Sequence, residues 1–490
     1  MAKGSSGALL GRISLQKGSP LPLYQQLVSQ LRQSVVSREL NGGTRLPSSR
    51  QLAVELGVSR LTVQNAYEQL IAEGYLEARV GSGTYVQPAM QAIRNRKIRS
   101  APWSQTPLNS VISSRGSQVV GTLGHLEPAQ ANSFRPGIPA IDAFPLKLWN
   151  RLTSRRLRSA DHQLLTYGAR EGFWPLRVAI ADYLRDSRMV QCEPAQVIVL
   201  SGSQRAFSLA TWSLLEDGDP VWFEDPGYPA ARDVMAATGA DILPVALDGE
   251  GLSVSAGLAK NPAPMLVYTT PSGQFPTGTT MSLPRRRELL RLARKVRAWI
   301  LEDDYDGEFR YAGRPLPSLQ GLDDFGCVLY VGTFSKTLLP SLRLGYMVVP
   351  RELVEVFAAA AALFDLSVPT LPQAVVADFI VEGHFQAHLR KMRNLYAERQ
   401  RVLVEALRAE LGGFLEASAV SAGMHLIAWL PDGADDKAAG RRAQEAGVDA
   451  MPLSGFSLHP CRPGLVIGFA CMPPEQIHPG VKKLARALLS

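Results

Sequence analysis

The stretch VLYVGTFSKTLLPSLRLGY, residues 328–346, places one lysine shortly after an apolar run. The run at 327–333 has the length and the Val/Leu content of a buried strand. Lys336 lies three residues beyond its end, and Arg343 follows seven residues later. A lysine amine at a strand end can capture a carbonyl group, and a guanidinium beside it suits a phosphate. We therefore expect other strand ends to supply the remaining side chains of such a site.

Four further apolar runs precede this one along the chain. They are QVIVL (196–200), PVWFE (220–224), MLVYTT (265–270) and AWILED (298–303). Helical stretches such as 284–297 separate them, and continuous Val/Ile/Leu runs that alternate with helices predict a mainly parallel sheet covered on both faces. In such sheets ligands bind beyond the carboxyl ends of the strands. We predict an α/β domain over residues 131–490.

Polar side chains follow the ends of these runs. Asp303 ends the fourth run, and Tyr305 lies two positions further on. The residues after the first run open a helix, whose free backbone amides suit a phosphate group. Besides Asp303, Tyr305, Lys336 and Arg343, the side chains that we place at this site are Ser201, Ser203, Gln204, Tyr228, Thr333 and Ser335. Taken singly, most of them have an equally good structural interpretation, so the prediction depends on the whole set.

The set meets the requirements of pyridoxal 5′-phosphate (PLP). Lys336 would form the Schiff base, and Asp303 would keep the pyridine nitrogen protonated. Tyr305 would lie beside the ring oxygen and Tyr228 over the ring face, while Arg343 and the neighbouring hydroxyl and amide groups would hold the phosphate. We predict that the chain binds PLP through Lys336.

The excess positive charge of the chain is confined to its first fifth. Residues 1–100 contain 13 Lys+Arg against 5 Asp+Glu, which gives +8. The whole chain is also +8, so residues 101–490 carry equal numbers of basic and acidic side chains. This asymmetry favours a segment that neutralises phosphates over a merely solvated basic face.

The N-terminal hundred residues have the pattern of a winged helix-turn-helix. Leu23, Leu27, Leu31 and Val35 lie four apart and predict an amphipathic first helix. A short helix from Ser48 to Gly57 follows, and then a third helix that is capped by Ser59. The buried stripe predicted for the third helix is Val63, Ala66, Tyr67, Leu70 and Ile71. The alternating stretch 75–87 turns on glycines and predicts a two-stranded hairpin. Three helices and a hairpin in this order predict a DNA-binding domain over residues 18–88.

Residue types favour DNA contacts at the start of the third helix and at the wing. The residues that we predict to contact DNA are Arg45, Ser48, Arg50, Ser59, Arg60, Thr62, Gln64 and Gly81. The third helix would meet base edges and the second would cross the phosphate backbone. A solvated or capping role is the alternative for Arg45 and Thr62.

The stretch LPSSRQLAVELGVSRLTVQNAYEQLIAEGYLEARVGSGTYV (46–86) resembles the DNA-binding domain of the GntR family of bacterial regulators. The resemblance implies that Arg50, Arg60 and Gln64 are DNA contacts and that the wing around Gly81 reaches the minor groove. Residues 89–130 are rich in Pro, Ser and Gly and predict a flexible linker. Its basic residues at 94–99 are more readily interpreted as a solvated charge run.

The order of loops from residue 131 onward resembles the fold-type I aminotransferases. That resemblance implies a homodimer with sites at the interface, where a tyrosine of the neighbouring subunit completes the phosphate site; Tyr167 occupies the matching position. A GntR-type head joined to such a body is similar to the MocR-type transcription regulators. The motifs FRPGIPAIDAFPLKLW (134–149), EDPGYPAARDV (224–234), TPSGQFPTG (270–278) and EDDYDGEFRY (302–311) resemble that subfamily. The resemblance implies that PLP, alone or joined to an amine effector, controls DNA binding.

Three positions depart from the family pattern. Position 273 is Gly where the subfamily usually has His, and Gln274 could compensate. The sequence YGAREG lacks the usual Asp-Pro after Tyr167. The strand resembling 464–470 carries Val466 and no arginine for a substrate carboxylate, with Arg462 just outside it. The missing arginine favours a regulator that senses PLP or an unusual amine; the alternatives are a working PLP-dependent aminotransferase with an appended DNA-binding head and a PLP store without DNA specificity.

Composition limits the remaining classes. Four scattered cysteines without paired spacing favour reduced thiols over a disulfide framework or a zinc site. The most apolar stretch, 356–364, is about half the length that a membrane span needs. We therefore expect no metal site, no membrane partner and a cytoplasmic location. The fold class expected for the chain is α+β multidomain, with operator DNA and PLP as its partners.

Overall fold

The computed structural model describes residues 13–88, 112, 113, 116, 134–159, 162–313 and 316–489. The chain divides into two compact units, residues 1–112 and 113–490. Most of the predicted linker 89–130, including its basic residues at 94–99, lies outside the described residues. The predicted boundaries at 88 and 130 therefore stay predictions. Within the part that is described, no helix is both long and apolar enough to cross a membrane.

The first unit is a winged helix-turn-helix, as predicted. Its elements are α1 (Leu23–Val36), α2 (Ser49–Leu56), α3 (Arg60–Ala72), β1 (Leu76–Arg79) and β2 (Gly83–Val86). The two strands pair antiparallel, with Leu76 opposite Val86. Leu27 and Leu31 of α1 are fully buried in one core with Val63 and Leu70 of α3. The helical stripes of the sequence therefore became the core of this unit, because both face the same interior.

The second unit alternates strands and helices. Its helices are α4 (Leu146–Arg158), α5 (His162–Leu165), α6 (Trp174–Arg188), α7 (Ser203–Leu214), α8 (Pro229–Ala237), α9 (Val254–Lys260), α10 (Leu283–Val296), α11 (Phe334–Thr337), α12 (Val354–Asp365), α13 (Thr370–Val381), α14 (His384–Leu411), α15 (Asp436–Glu445) and α16 (Pro474–Leu489). Its strands are β3 (Val197–Leu200), β4 (Pro220–Asp225), β5 (Asp241–Asp248), β6 (Gly251–Leu252), β7 (Leu266–Thr269), β8 (Trp299–Asp304), β9 (Val328–Thr333), β10 (Gly345–Val348), β11 (Glu416–Ala417), β12 (His425–Trp429), β13 (Met451–Pro452) and β14 (Gly464–Gly468).

The larger sheet has the order β3-β10-β9-β8-β7-β4-β5-β6. The five predicted runs became β3, β4, β7, β8 and β9, and the strands from β9 to β5 pair in parallel. Strand β10 runs antiparallel between β3 and β9, and β6 is an antiparallel edge. The sheet is therefore mainly parallel, as predicted. Because β4, β7, β8 and β9 run side by side in the same direction, the polar residues that follow them meet at one edge.

A smaller antiparallel sheet, β11-β12-β14-β13, forms towards the C terminus. Strand β12 lies against β14, with Ile427 opposite Val466. The 28-residue helix α14 contributes Leu403 and Leu407 to a core that also contains Leu465 and Ile467 of β14. This helix joins the region of the large sheet to the small one, and both sheets supply residues to the cavity described below.

Candidate functional site

Lys336 lies in the single turn of helix α11 that follows β9. Thr333 begins that turn, and its hydroxyl accepts a hydrogen bond from the Ser335 amide at 3.1 Å. The Lys336 amine donates to the carbonyl oxygen of Gly137 at 2.8 Å. Burial lowers the pKa of Lys336, while the carboxyl groups of Asp306 and Asp303 oppose that shift. Burial therefore favours the neutral amine, which is the form that attacks a carbonyl.

Asp303 lies at the end of β8 and is 4% exposed. The Tyr268 hydroxyl donates to its Oδ2 at 2.7 Å. Its other oxygen, Oδ1, is buried and has no hydrogen-bond partner among the described residues. Burial raises the pKa of Asp303 to about 7, because the carboxylate loses its hydration and the nearby Lys336 amine offsets only part of that loss. A buried carboxylate oxygen without a donor fits the protonated ring nitrogen of PLP, which would supply that donor.

Aromatic side chains form another part of the site. Phe275 meets Tyr228 edge to face with ring centroids 5.5 Å apart, and meets Tyr305 in the same way at 5.9 Å. The Tyr305 hydroxyl donates to the carbonyl oxygen of Gly273 at 3.0 Å. A hydrogen bond with the Gln204 side chain limits the rise in the pKa of Tyr228 that burial causes. These rings provide flat apolar surfaces beside the amine of Lys336.

The start of α7 and the Arg343 side chain form a group of donors. Gly202, with φ of 102°, precedes the helix, and a Cβ atom added there would lie 3.6 Å from the Arg343 guanidinium carbon. A Cβ atom on Gly345 would lie 2.9 Å from the Gly202 backbone. The two glycines therefore let the guanidinium and the helix start approach closely. Such a combination of free amides and a guanidinium suits a phosphate.

These groups line one cavity of about 280 Å³. The predicted residues that line it are Ser203, Gln204, Tyr228, Asp303, Tyr305, Thr333, Ser335, Lys336 and Arg343. The further lining residues are Arg135, Pro136, Gly137, Ile138, Pro229, Ala230, Thr270, Phe275, Pro340, Met451 and Phe456. The sequence analysis noted the motifs 134–149 and 270–278 as features of the subfamily but assigned no site role to these further residues. A motif alone does not show that the segment 135–138 approaches a lysine two hundred positions away.

Two predicted cofactor residues lie elsewhere. The Ser201 hydroxyl donates to Asp365 at 2.9 Å, so it is committed to an interaction outside the cavity lining. Asp365 also pairs with Arg205, which holds the carboxylate in that position. Tyr167 is 79% exposed and does not line the cavity. The predicted role of Ser201 in binding the cofactor therefore has no geometric support. The role predicted for Tyr167 concerns the site of the neighbouring subunit, and it stays a prediction.

The positions that depart from the family pattern have definite contacts. The Gln274 amide donates to Glu224, to the Pro226 carbonyl and to the Phe275 carbonyl, and its side chain is buried. It does not line the cavity and so does not compensate for the glycine at 273. The Arg462 guanidinium pairs with Glu416 and lies 5.0 Å from the centre of the Trp429 ring. Arg462 is therefore engaged away from the cavity.

Apolar packing surrounds Val466, where the family pattern has an arginine. Val466 is fully buried with Ile427, Leu453 and Phe456. Phe456 also lines the cavity. Phe456 is therefore the member of this group that reaches the cavity, and the contact that it offers there is apolar.

The predicted DNA contacts of the first unit lie around its second and third helices and the wing. Arg45, Arg50 and Arg60 are exposed, and Gly81 lies at the wing turn with φ of 73°. Arg60 donates a long hydrogen bond to Ser49 at 3.4 Å, which places it beside the start of α2. Gln64 is half-buried on α3. The exposed guanidinium groups leave this surface positive, as phosphate binding requires.

Three of the predicted contacts also have local structural roles. The Ser48 and Ser59 hydroxyls accept hydrogen bonds from the amides of Gln51 and Thr62, at 3.2 Å and 3.1 Å. The Thr62 hydroxyl lies 2.8 Å from that of Ser59. These serines therefore cap α2 and α3, and capping by itself accounts for their presence.

Comparisons with known proteins agree with both units. Residues 141–484 match the family model "Aminotransferase class I and II", and residues 23–86 match "Bacterial regulatory proteins, gntR family". The chain is 40% identical to "Probable rhizopine catabolism regulatory protein MocR" of Rhizobium meliloti, over 97% of this chain and 96% of the relative. It is 38% identical to "Uncharacterized HTH-type transcriptional regulator YhdI" of Bacillus subtilis (strain 168), over 96% and 97%.

A solved structure also resembles the second unit. The crystal structure of LysN, an α-aminoadipate aminotransferase from Thermus thermophilus complexed with N-(5′-phosphopyridoxyl)-L-leucine, has a TM-score of 0.71 and 29% identity. The similarity covers 78% of this chain and 98% of LysN. Fold and sequence relatives therefore point to the same pair of activities, DNA binding in the first unit and a PLP-type site in the second.

Proposed function

Because the chain belongs to the MocR-type transcription regulators, in which a gntR-family DNA-binding domain is joined to an aminotransferase class I and II domain, we propose that its second unit binds PLP at Lys336 and senses a small amine. The observation that carries the proposal is the unpartnered Oδ1 of Asp303 in the same cavity as the Lys336 amine. An unpaired buried carboxylate oxygen destabilises the folded chain unless a ligand supplies a donor. PLP supplies an aldehyde for the amine and a protonated ring nitrogen for the carboxylate.

The remaining lining residues would orient the cofactor. The amides at the start of α7, the hydroxyl groups of Thr333 and Ser335, and the Arg343 guanidinium would hold its phosphate. The Tyr228 and Phe275 rings would restrict the position of the cofactor ring and exclude water. Tyr305 would stay close to the ring while its hydroxyl is held by the Gly273 carbonyl.

We propose regulation as the role of the site, with transamination as the second candidate. The region of Val466 is apolar, and Arg462 is paired with Glu416, so neither supplies the carboxylate contact of an aminotransferase. Arg135 lines the cavity and is the residue that an anionic substituent of a substrate would meet. A regulator needs binding that differs between two arrangements of the protein, whereas an aminotransferase needs turnover.

A homodimer is part of the proposal, and the exposed side chain of Tyr167 supports it. A contiguous patch of large apolar side chains on a protein surface marks an interaction site. Here Leu363 and Leu366 are 69% and 57% exposed near the end of α12, and Tyr167 is more exposed still. We place Tyr167 at the cofactor site of the partner subunit. A regulator of this kind acts where DNA is, so we also propose a cytoplasmic location.

An absorbance titration with PLP, run alongside retardation of the upstream DNA of its own gene, tests the proposal. We expect a visible band that saturates with PLP and a change in DNA retention when an amine effector is added. A set of amines without an α-carboxylate would be compared with α-amino acids. Multiple-turnover production of a keto acid would show that the role of the site is transamination and not regulation. The absence of any visible band would refute PLP binding itself.

A further inference from the structure

A second recess of about 530 Å³ lies in the same unit as the Lys336 cavity. One wall is the C-terminal turn of α6, another is the segment 307–310, and the third is the N-terminal half of α14. It shares no lining residue with the cavity that contains Lys336. A cleft of this size accommodates a molecule of metabolite dimensions.

Three unpaired arginines outweigh the one exposed carboxylate of the lining, Asp186, and give the recess a positive charge. In the described part of the chain no ion pair joins any of the three to a carboxylate. Arg390 and Arg393 lie one turn apart on α14, and both are exposed. Arg310 donates to the Thr280 hydroxyl at 2.9 Å and to the Ala312 carbonyl at 3.3 Å, which are neutral acceptors. Burial and the charge of Arg188 lower the pKa of Arg310. A bound anion would relieve this repulsion.

Glu308 adds a buried carboxyl group to the lining. Its Oε1 accepts a hydrogen bond from the Tyr183 hydroxyl at 3.0 Å, while Oε2 is buried without a partner in the described ranges. Burial, and then the neighbouring Asp304, raise the pKa of Glu308. A carboxyl group with a raised pKa keeps its proton more readily, and the protonated form can donate a hydrogen bond to an anion.

The recess also adjoins a buried ion pair. The Arg188 side chain contacts Asp304 through Nε at 2.7 Å, and both side chains are almost completely buried. A Cβ atom on Gly307 would collide with both members of this pair. The glycine therefore lets the recess approach Asp304, which directly follows Asp303 in β8.

We propose that this recess is a second ligand site, which binds a small oxyanion, a phosphate or carboxylate compound, through Arg390, Arg393 and Glu308. The arginines would supply charged donors, and the Glu308 carboxyl a neutral one. A recess bounded by three segments suits a small molecule better than a DNA duplex, which needs an extended basic surface. The recess adjoins the Arg188–Asp304 ion pair. A bound anion would therefore perturb this pair and, through Asp304, the strand β8 that contains Asp303.

Calorimetric titration of the full-length protein with inorganic phosphate, and separately with citrate, tests the site. The protein is first saturated with PLP, so that the probe does not enter the phosphate site of the cofactor. We expect the double variant Arg390→Gln/Arg393→Gln to bind at least tenfold more weakly than the wild type. The matched control Lys391→Gln/Arg408→Gln removes the same charge from exposed positions of α14 and should bind normally. Preference between the two probes distinguishes a phosphate from a carboxylate ligand.

Equal weakening in both double variants would refute a specific site, since net charge alone would explain it. Unchanged binding in Arg390→Gln/Arg393→Gln would also refute it. A loss of DNA retention with phosphate binding intact would assign the arginines to DNA instead. Failure of the protein to bind PLP would refute the proposed function. The visible absorbance band reports PLP binding and the calorimetric heat reports anion binding, so the two failures can be told apart.

The same samples test the connection to β8. Saturating phosphate should shift the visible absorbance of the bound cofactor in the wild type and in the control variant, and leave it unchanged in Arg390→Gln/Arg393→Gln. If saturating phosphate leaves the absorbance spectrum of the wild-type protein unchanged, the connection between the two sites is refuted.

Discussion

The Lys336 amine donates a hydrogen bond to the carbonyl oxygen of Gly137 at 2.8 Å, although the two residues are 199 positions apart. Gly137 has φ of +78°, and a Cβ atom added there would lie 2.9 Å from the amine. The segment 135–138 thus forms a wall of the cavity that has no room for a side chain at position 137. The glycine holds the lysine in place and leaves the approach to it open.

Replacing Gly137 with alanine should weaken PLP binding, because the new Cβ atom would push the Lys336 amine away. The positive φ adds a strain of about 1 kcal/mol that is unrelated to the site. Gly447→Ala is the matched control, since Gly447 has φ of +76° and no atom within 4 Å of its added Cβ. We expect the two variants to lose similar stability in thermal unfolding. The dissociation constant for PLP should rise at least tenfold in Gly137→Ala alone; equal PLP binding in the two variants would refute the contact.

Replacing Lys336 with alanine should abolish the visible absorbance of bound PLP. The amine is the group of the cavity that can bond covalently to an aldehyde carbon, so dialysis should then remove the cofactor. Absorbance spectra before and after dialysis provide the measurement. Lys391→Ala is the control, because Lys391 is exposed on α14. A band that survives in Lys336→Ala would show that another lysine holds the cofactor.

Asp303→Asn should change how the stability of the cofactor-free protein depends on pH. Burial raises the pKa of Asp303 from its usual value of 3.8 to about 7 in the folded state. An acid whose pKa is raised on folding keeps its proton more tightly in the folded chain, so its contribution to stability falls as the pH rises from about 4 to 7. The neutral amide lacks this loss. We expect the stability of the variant relative to the wild type to rise by about 3 kcal/mol from pH 5 to pH 8.

Urea unfolding of the wild type and Asp303→Asn at pH 5 and pH 8 checks this expectation. The difference in unfolding free energy between the variant and the wild type should be more favourable to the variant at the higher pH. Saturating PLP should reverse the order, because the ring nitrogen then stabilises the carboxylate. A difference that is the same at both pH values would mean that Asp303 is already ionised without the cofactor.

Arg60→Ala should weaken retention of operator DNA. Arg60 begins α3 and is exposed beside Ser49, where it can contact a phosphate or a base edge. Loss of a base contact costs about 1–3 kcal/mol, which is roughly five- to 150-fold in affinity. Lys17→Ala removes one exposed charge of the same unit and serves as the control. DNA retardation and PLP absorbance are measured together; an unchanged operator affinity in Arg60→Ala would exclude this side chain from the interface.

Much of the fold was predictable because its signals are local. The spacing of Leu27, Leu31 and Val35 identified the buried face of α1, and the Ser48 and Ser59 caps identified the starts of α2 and α3. The apolar runs identified five strands of the large sheet. The antiparallel insertion of β10 was not predicted, since strand order depends on how distant segments pack and leaves little trace in a short run.

The site was predictable in part for the same reason. Lys336, Asp303 and Arg343 follow strand ends or turns, and the geometry of parallel strands brings such positions to one edge. Tyr268 was missed as the partner of Asp303, although a tyrosine inside a buried run needs a hydrogen-bond partner and so gave a signal. Phe275 lies in the motif 270–278, but that motif does not distinguish a cavity wall from a turn, and Met451 gave no signal that distinguishes it from an ordinary core residue.

The sequence alone determined the two-unit organisation and the family, and it predicts Lys336 as the lysine that binds the cofactor, because periodicity, capping and motif spacing express which residues are buried and where elements end. The tertiary structure decided which distant groups meet: the Gly137 carbonyl with Lys336, the Tyr268 hydroxyl with Asp303, and Ser201 with Asp365 instead of the cavity. Local patterns encode burial, whereas a hydrogen bond between remote residues depends on the packing of every element between them.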